Sequence, residues 1–222
     1  MGNDQAMRFL IWGAGGHGKV VADLVRAMGA RVEGFIDADP TKLGAVVEPG
    51  GGRVILLHDH ERVSWAETLE QEVEAIALAI GNNAVRLSCL GVASRMRVPP
   101  LIHPAAAVSP SAEIGRGSVV FAGAIVNASA EIGEAVILNS GAIVEHDCRV
   151  ADGAHISPGA VLAGGVDVGT RSWIGAGATL IPGVVLGADV TVGAGAVVLH
   201  DVPDGQTVAG VPARRIDDKG QT

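Results

Sequence analysis

The spacing of hydrophobic residues changes near Pro99-Pro100 and divides the chain into two parts. Before that point, apolar runs of strand length alternate with apolar residues at helical spacing, which predicts a small parallel sheet covered by helices. The predicted strands are Arg8–Trp12, Arg31–Asp37 and Val73–Ile80, and the predicted helices are Lys19–Met28, Glu61–Gln71 and Ala84–Arg95. We therefore expect an α/β, Rossmann-like domain over residues 1–98.

After Pro100 the apolar positions repeat every six residues. Every sixth residue from Ile102 to Val198 is Ile, Leu or Val, 17 positions without an insertion, and the residue four places later is Ala, Ser, Val or Cys. This pattern predicts a parallel β-helix over residues 99–222, in which three repeats close a triangular coil of about 18 residues around inward-pointing aliphatic side chains. We expect outer faces poor in charge, which would be covered by sister prisms in a cyclic trimer.

Composition and charge exclude several classes of protein. The chain is 48% hydrophobic but only 3% aromatic, so its cores must be built from Ala, Val, Ile and Leu. A net charge of −8 argues against a nucleic-acid binder, which normally presents a basic face. No uncharged apolar run is long enough to span a bilayer, and the first residues lack a secretory signal pattern. Two cysteines do not make a disulfide framework, so we expect a cytoplasmic protein.

The most polar stretch of the repeat is Glu145-His146-Asp147. Val144 and Cys148 fill the inward positions of this unit, so His146 and Asp147 are predicted to face outward at a corner, while Cys148 belongs to the core. Histidine can move protons at neutral pH, and a neighbouring carboxylate can orient it and raise its basicity. The alternative is a solvated corner triplet without a function.

One coil further along the chain, the residues above His146 and its neighbour are Gly164 and Gly165. Without side chains, this stretch leaves a slot in which a ligand can approach backbone N–H groups. Asn139 and His155 add polar side chains nearby in the sequence, which favours a site over a solvated corner. The seven histidines show no metal-ligand spacing, so we expect no metal.

A glycine-rich loop follows the first predicted strand. Residues 13–18 (GAGGHG) match G-x-G-x-x-G, which is typical of a loop that approaches phosphate at a helix N-terminus. Asp37 ends the second strand, where an acid often meets a ribose hydroxyl, and Gly81 follows the third strand at the same edge. The literal interpretation is NAD binding, but a domain this short holds half of a dinucleotide fold, so a mononucleotide or nucleotide sugar fits better. A tight strand–helix turn without a ligand is the remaining alternative.

Taken together, these motifs resemble the sugar O-/N-acyltransferases. GAGGHG near the start, AIGNN near residue 80, the hexapeptide repeats, EHD in mid-prism and AGVPAR near the end occur in this order. The family includes sialic acid O-acetyltransferases and N-acetyltransferases of nucleotide-linked 4-amino-4,6-dideoxy sugars. The resemblance implies a left-handed β-helix, acetyl-CoA as co-substrate, a homotrimer with active sites between adjacent prisms, and an N-terminal domain that holds the nucleotide sugar.

The resemblance also implies roles for individual residues. His146 resembles the general base and Asp147 its carboxylate partner, a position where the amino-sugar enzymes often have Glu. Asn139 resembles a group near the acceptor. The matches to acetyl-CoA contacts are His155, Gly164, Ala176 and Ala194, and the matches to the nucleotide-sugar pocket are Gly15, Gly16, His17, Asp37 and Gly81.

We expect an acetyltransferase that moves the acetyl group of acetyl-CoA to the amino group of a UDP- or GDP-linked 4-amino-4,6-dideoxy sugar. His146 would accept the amine proton during attack on the thioester, and the Gly164 N–H would stabilise the oxyanion. Two alternatives remain open. One is an O-acetyltransferase of sialic acid or a polysaccharide, and the other is a scaffold that binds a sugar nucleotide without catalysis.

Overall fold

The structure is a computed structural model that describes residues 6–47, 54–56 and 73–216, with the backbone alone at 54–56. The helix predicted over Glu61–Gln71 lies outside the described residues. The chain divides into two compact units, Met1–Pro104 and Ala105–Thr222. In the part of the chain that is described, neither helix combines the length and the hydrophobicity needed to cross a bilayer.

The first unit contains a four-stranded parallel sheet in the order β3-β2-β1-β4. Its elements are β1 (Arg8–Trp12), α1 (Gly16–Ala27), β2 (Arg31–Asp37), a 3₁₀ turn (Pro40–Lys42), β3 (Val54–Leu56), β4 (Ala75–Leu78) and α2 (Asn83–Val92), followed by the short strand β5 (Leu101–Ile102). Strands β1 and β4 are almost entirely buried, as their continuous apolar sequences predict. The predicted parallel sheet is confirmed.

Two differences from the predicted elements have local causes. Helix α1 begins three residues before the predicted start, because Gly16, His17 and Gly18 form its first turn. Strand β3 was not predicted, since the apolar run that contains it, residues 54–57, is too short to identify a strand by periodicity. Helix α1 ends at Ala27, and Gly29 follows two residues later with a φ of +78°, the left-handed conformation that glycine adopts readily.

The second unit is a parallel β-helix of short strands. They are β6 (Ala107–Val108), β7 (Glu113–Ile114), β8 (Val119–Val120), β9 (Ile125–Val126), β10 (Glu131–Ile132), β11 (Ile137–Leu138), β12 (Ile143–Val144), β13 (Arg149–Val150), β14 (His155–Ile156), β15 (Val161–Leu162), β16 (Asp167–Val168), β17 (Trp173–Ile174), β18 (Thr179–Leu180), β19 (Val185–Leu186), β20 (Thr191–Val192), β21 (Val197–Val198), β22 (Thr207–Ala209) and β23 (Arg214–Arg215). Each coil pairs in register with the next, as Ile137 with His155 and His155 with Trp173.

The strands form three sheets, which are the three faces of a triangular prism. We define the apolar face as β6, β9, β12, β15, β18 and β21, the charged face as β7, β10, β13, β16 and β19, and the mixed face as β8, β11, β14, β17, β20, β22 and β23. The large aliphatic residue of every repeat from Val120 to Val198 is buried. Burying one such side chain contributes about 1.5–3 kcal/mol, so the six-residue period supplies the core of the prism.

The expectation that the outer faces are poor in charge holds for one face and is wrong for another. The outward residues of the apolar face are Ala107, Ile125, Ile143, Val161, Thr179 and Val197, none of which is buried. The charged face instead carries a stack of charged residues on successive strands, which we call the ionic ladder: Glu113, Glu131, Arg149 and Asp167. Within it, Arg149 donates to both carboxylate oxygens of Glu131 at 3.0 and 3.3 Å. A charged surface of this kind suits solvent, whereas the apolar face leaves aliphatic side chains partly exposed.

Candidate active site

His146 and Asp147 lie at the edge between the apolar face and the charged face, as the repeat predicts, and their side chains are 63% and 67% exposed. Nδ1 of His146 is 2.7 Å from Oδ2 of Asp147. Because an ionised carboxylate can only accept, Nδ1 carries the hydrogen and Nε2 keeps a lone pair. The pair therefore holds the imidazole in the tautomer that a general base needs at Nε2.

The electrostatic environment makes His146 a stronger base. Its pKa is raised above the ordinary value by the hydrogen bond to Asp147 and by the negative charge of that carboxylate; desolvation opposes this, and the charge of Glu145 adds the weakest effect in the raising direction. A base with a raised pKa binds a proton more readily, and it is neutral only above that pKa.

Gly164 leaves room for the imidazole ring. A Cβ atom built on Gly164 would lie 2.7 Å from both Cε1 and Nε2 of His146, closer than real Cβ atoms approach. Nε2 therefore faces bare main chain, which is the gap that the sequence predicts above the histidine. Among the described residues, the N–H of Gly164 donates to no backbone carbonyl, whereas the N–H of Gly165 donates to the carbonyl of His146 at 2.9 Å.

Asn139 and His155 form a second cluster. Nδ2 of Asn139 is 3.1 Å from Nε2 of His155, and Oδ1 of Asn139 accepts from the N–H of Ser140 at 2.9 Å. The second bond fixes the amide orientation, so Nδ2 donates and Nε2 of His155 accepts. The imidazole of His155 therefore carries its hydrogen on Nδ1.

Trp173 is a member of this cluster that the sequence interpretation missed. Its ring stacks on His155 with centroids 6.5 Å apart and planes inclined by 29°, and its Nε1 donates to Oγ of Ser157 at 2.8 Å. The available signal was an outward-facing indole one coil after His155 in a chain with few aromatic residues. Trp173 is half exposed, so its ring offers a flat apolar surface beside the second cluster.

Ala176 and Ala194 lie one coil apart at the edge between the mixed face and the apolar face, the same edge as Asn139. Both are exposed, and within the described chain neither of their N–H groups donates to a backbone carbonyl. The two successive coils are joined here by the carbonyl of Ala176, which accepts a hydrogen bond from the N–H of Gly195 at 2.8 Å. This edge therefore presents free backbone donors, as a binding role through main-chain atoms requires.

A single chain does not bring all of these residues together. His146 and Gly164 lie at one edge of the apolar face, whereas Asn139, His155 and both alanines lie at or beside its other edge. Strand β12 separates the two groups within a coil. A site that uses both groups must therefore join the edge of one prism to the edge of another.

The first unit has a cleft of about 440 Å³ at the carboxyl edge of its sheet. Its lining includes all five residues predicted for the nucleotide-sugar pocket, which are Gly15, Gly16, His17, Asp37 and Gly81. The position agrees with the rule that open parallel sheets bind ligands beyond the carboxyl ends of their strands. The same cleft is lined by Lys42 and by Cys89, which is only partly buried.

The glycines of the GAGGHG loop have different structural roles. A Cβ on Gly18 would lie 2.2 Å from the carbonyl oxygen of Gly13, and one on Gly13 would lie 2.4 Å from that of Ala79, so close packing requires both. Gly15 and Gly16 have no atom within 4 Å of such a Cβ. They border the cleft at the start of α1, where no side chain caps the helix and backbone N–H groups can meet an anion.

Asp37 anchors the loop from the other side. Its Oδ2 accepts from the N–H of Ala14 and from Nζ of Lys42, each at 2.8 Å, and its Oδ1 accepts from the N–H of Asp39 at 3.0 Å. Burial alone would raise the pKa of Asp37, but these hydrogen bonds and the charge of Lys42 lower it overall. The sequence interpretation predicted the acid and missed the lysine that pairs with it.

Cys148 occupies an inward position, as predicted. It is fully buried, its Sγ donates to the carbonyl of Ala163 at 3.1 Å, and burial raises the pKa of the thiol. Such a thiol is a poor nucleophile and serves the core. Over the described ranges, no group of three or more His, Cys, Asp and Glu side chains is placed to hold a metal ion.

Comparisons with known proteins agree with both units. Residues 8–91 match the PglD N-terminal domain family, and residues 129–164 and 165–200 match the bacterial transferase hexapeptide (six repeats) family. A curated UDP-N-acetylbacillosamine N-acetyltransferase from Bacillus subtilis (strain 168) is 40% identical over 120 residues, which cover 50% of this chain and 50% of that protein. The match thus spans about half the length of this curated relative.

Solved structures extend the similarity to almost the whole chain. The acetyltransferase domain of PglB from Neisseria gonorrhoeae FA1090, in complex with acetyl coenzyme A, is 42% identical with a TM-score of 0.85, covering 95% of this chain and 100% of that one. PerB from Caulobacter crescentus, in complex with CoA and GDP-perosamine, is 42% identical with a TM-score of 0.84, covering 94% and 97%. The chain therefore belongs to the sugar O-/N-acyltransferase family, in which a small parallel-sheet domain precedes a hexapeptide-repeat β-helix.

Proposed function

We propose that this chain transfers the acetyl group of acetyl-CoA to the amino group of a nucleotide-linked 4-amino-4,6-dideoxy sugar. The observation that carries the proposal is the geometry of His146, which donates through Nδ1 to Asp147 and directs Nε2 toward the bare main chain of Gly164. The complexes of relatives with acetyl coenzyme A and with CoA and GDP-perosamine support the substrate classes.

The proposed reaction is a direct acyl transfer. The lone pair of the acceptor amine attacks the thioester carbonyl carbon while Nε2 of His146 accepts a proton from the nitrogen. The carbonyl oxygen becomes an oxyanion, which would be stabilised by the N–H of Gly164, a group that donates to no backbone carbonyl of the described residues. Collapse of this intermediate breaks the carbon–sulfur bond, and the thiolate of CoA receives the proton held on His146.

We propose a cyclic trimer with its active sites between neighbouring prisms. The apolar face needs a covering partner, and the two polar clusters lie at its opposite edges, so packing by a rotation can place the His146 edge of one copy near the Asn139 edge of the next. Light scattering should give the mass of three chains. A monomer mass at working concentrations would contradict this assembly.

We propose that the nucleotide part of the acceptor binds in the cleft of the first unit. The N-terminus of α1 borders the cleft beside two glycines that packing does not require, which suits a diphosphate. Lys42 adds a cation at the wall of the cleft. The cytoplasm is the proposed location, since in the described part of the chain Cys89 and Cys148 are not joined in a disulfide, which fits a reducing compartment.

A thiol-release assay tests the proposed activity. Acetyl-CoA is offered with UDP-linked and GDP-linked 4-amino sugars, with their 4-hydroxy counterparts and with free sialic acid. We expect CoA release with an amino sugar and an amide product by mass spectrometry. Release with sialic acid alone would instead indicate an O-acetyltransferase, and ligand binding without any release would indicate a scaffold.

Replacing Asp147 with Asn should shift the acid limb of the kcat/KM profile to lower pH. The carboxylate raises the pKa of His146, and the base acts when neutral, so without the carboxylate His146 loses its proton at lower pH. The maximum rate should also fall, because a less basic imidazole accepts a proton less readily. Both pH profiles are measured with the same amino-sugar acceptor, so ionisation of the amine contributes equally to both. An unchanged acid limb would contradict this role for Asp147.

A further inference from the structure

Arg86 of α2 is fully buried in the first unit. A buried charge is costly unless hydrogen bonds compensate it, and a guanidinium brings five N–H donors in one rigid plane. The groups that these donors hold therefore indicate what the arginine does.

The donors of Arg86 converge on the segment that follows β4. Nη1 donates to the carbonyl oxygens of Ile80 at 2.9 Å and Gly81 at 3.3 Å, and Nη2 donates to Oδ1 of Asn83 at 2.9 Å. Ile80 and Gly81 line the cleft proposed for the nucleotide. One planar group thus holds two carbonyls of the cleft wall and, through Asn83, the first residue of α2.

The charge of Arg86 also acts on His17, which lines the cleft from the first turn of α1. Burial and then the positive charge of Arg86 lower the pKa of His17 to about 4. His17 is therefore neutral at neutral pH, and its imidazole has one donor and one acceptor nitrogen. A protonated histidine is disfavoured at this wall.

We propose that Arg86 is a positioning residue for nucleotide recognition, which holds the segment from Ile80 to Asn83 in its binding shape from inside the domain. The inference rests on the proposed function, in which this cleft binds the nucleotide of the acceptor. Lysine cannot replace the arginine in this role, because an ammonium is a point charge that cannot hold two carbonyls and an amide in one plane.

The test compares Arg86→Lys with Arg95→Lys, an exposed arginine of the same unit. Calorimetry measures Kd for UDP and GDP, and steady-state kinetics measures KM for the nucleotide sugar and for acetyl-CoA. Arg86→Lys should raise the nucleotide Kd and the nucleotide-sugar KM by about tenfold, because several charged hydrogen bonds are lost or misaligned. The KM for acetyl-CoA should stay within about twofold, and Arg95→Lys should match the wild type.

A second variant keeps the test decisive if Arg86→Lys does not fold. Asn83→Ala keeps the guanidinium and its bonds to the two carbonyls and removes one acceptor, so it should weaken nucleotide binding by a smaller factor in a folded protein. Wild-type nucleotide Kd values in Asn83→Ala, and in Arg86→Lys if it folds, would overturn the inference. Failure of the wild type to bind either nucleotide would instead refute the proposed use of the cleft.

Discussion

Replacing His146 with Ala is expected to lower kcat by a factor of ~10²–10⁴, the usual contribution of a positioned general base. The substitution removes the nitrogen that faces Gly164 and leaves Asp147 without its hydrogen-bond partner. The side chain is exposed and carries no core packing. The melting temperature and the Kd for acetyl-CoA should therefore stay close to those of the wild type, with the loss confined to turnover.

His200→Ala is the matched control for this substitution. His200 is exposed near the end of the prism, so its replacement should leave kcat unchanged. Full turnover in His146→Ala would refute the role of His146 as the base. A fall in acetyl-CoA affinity without a fall in kcat at saturation would show that His146 binds the co-substrate without moving a proton.

Replacing Gly164 with Ala is expected to lower kcat by about 10²-fold, because small displacements of a catalytic group have effects of this size. The new Cβ would lie 2.7 Å from the imidazole of His146 and would force the ring away from its present position. Since the ring is exposed and can rotate, the free energy of unfolding should change by no more than about 1 kcal/mol. The result to look for is a large loss of turnover in a stable protein.

A double-mutant cycle separates this effect from damage to the fold. In a His146→Ala background, Gly164→Ala should cause little further loss of activity, because the group that it displaces is already absent. Gly91→Ala is the control, since an added Cβ there meets open space on helix α2 and should be neutral or slightly stabilising. Independent, multiplicative losses from the two substitutions would contradict the coupling between Gly164 and His146.

The β-helix was predictable because its determinants are local and periodic. The aliphatic residue at every sixth position from Val120 to Val198 reaches the core by its place in the repeat. The same arithmetic places Gly164 above His146, since 18 residues separate equivalent positions of successive coils. Corner position alone was thus enough to predict the bare main chain beside the imidazole.

The residues that sequence reasoning missed depend on tertiary contacts. Arg86 lies in a helix, and nothing local distinguishes it from a surface arginine until α2 packs against the sheet. Lys42 meets Asp37 through a 3₁₀ turn whose capping by Asp39 sets the direction of the chain. The ionic ladder of the charged face likewise depends on the stacking of residues from different coils.

Asn139 and His146 are assigned to one site in the sequence analysis, but the repeat itself indicates that the two residues lie at different edges of the prism. Successive repeats lie on different faces, so residues one repeat apart occupy different edges of the prism. His155 contacts Asn139 because 16 residues return the chain almost to the same place one coil higher. The prism therefore separates the two polar clusters within a chain, and the proposed site depends on assembly.

Mixed trimers give the most direct test of this account. Chains carrying His146→Ala and His155→Ala are co-expressed with different affinity tags and purified through both, so every trimer contains both variants. One of the three interfaces then pairs an intact His146 with an intact His155 of a neighbour. The His146→Ala parent lacks the base in every site and the His155→Ala parent lacks the proposed acetyl-CoA contact in every site, so the mixed trimer should exceed both parents and reach about one third of wild-type turnover. Mixed trimers no more active than their parents would show that His146 and His155 do not act together across an interface.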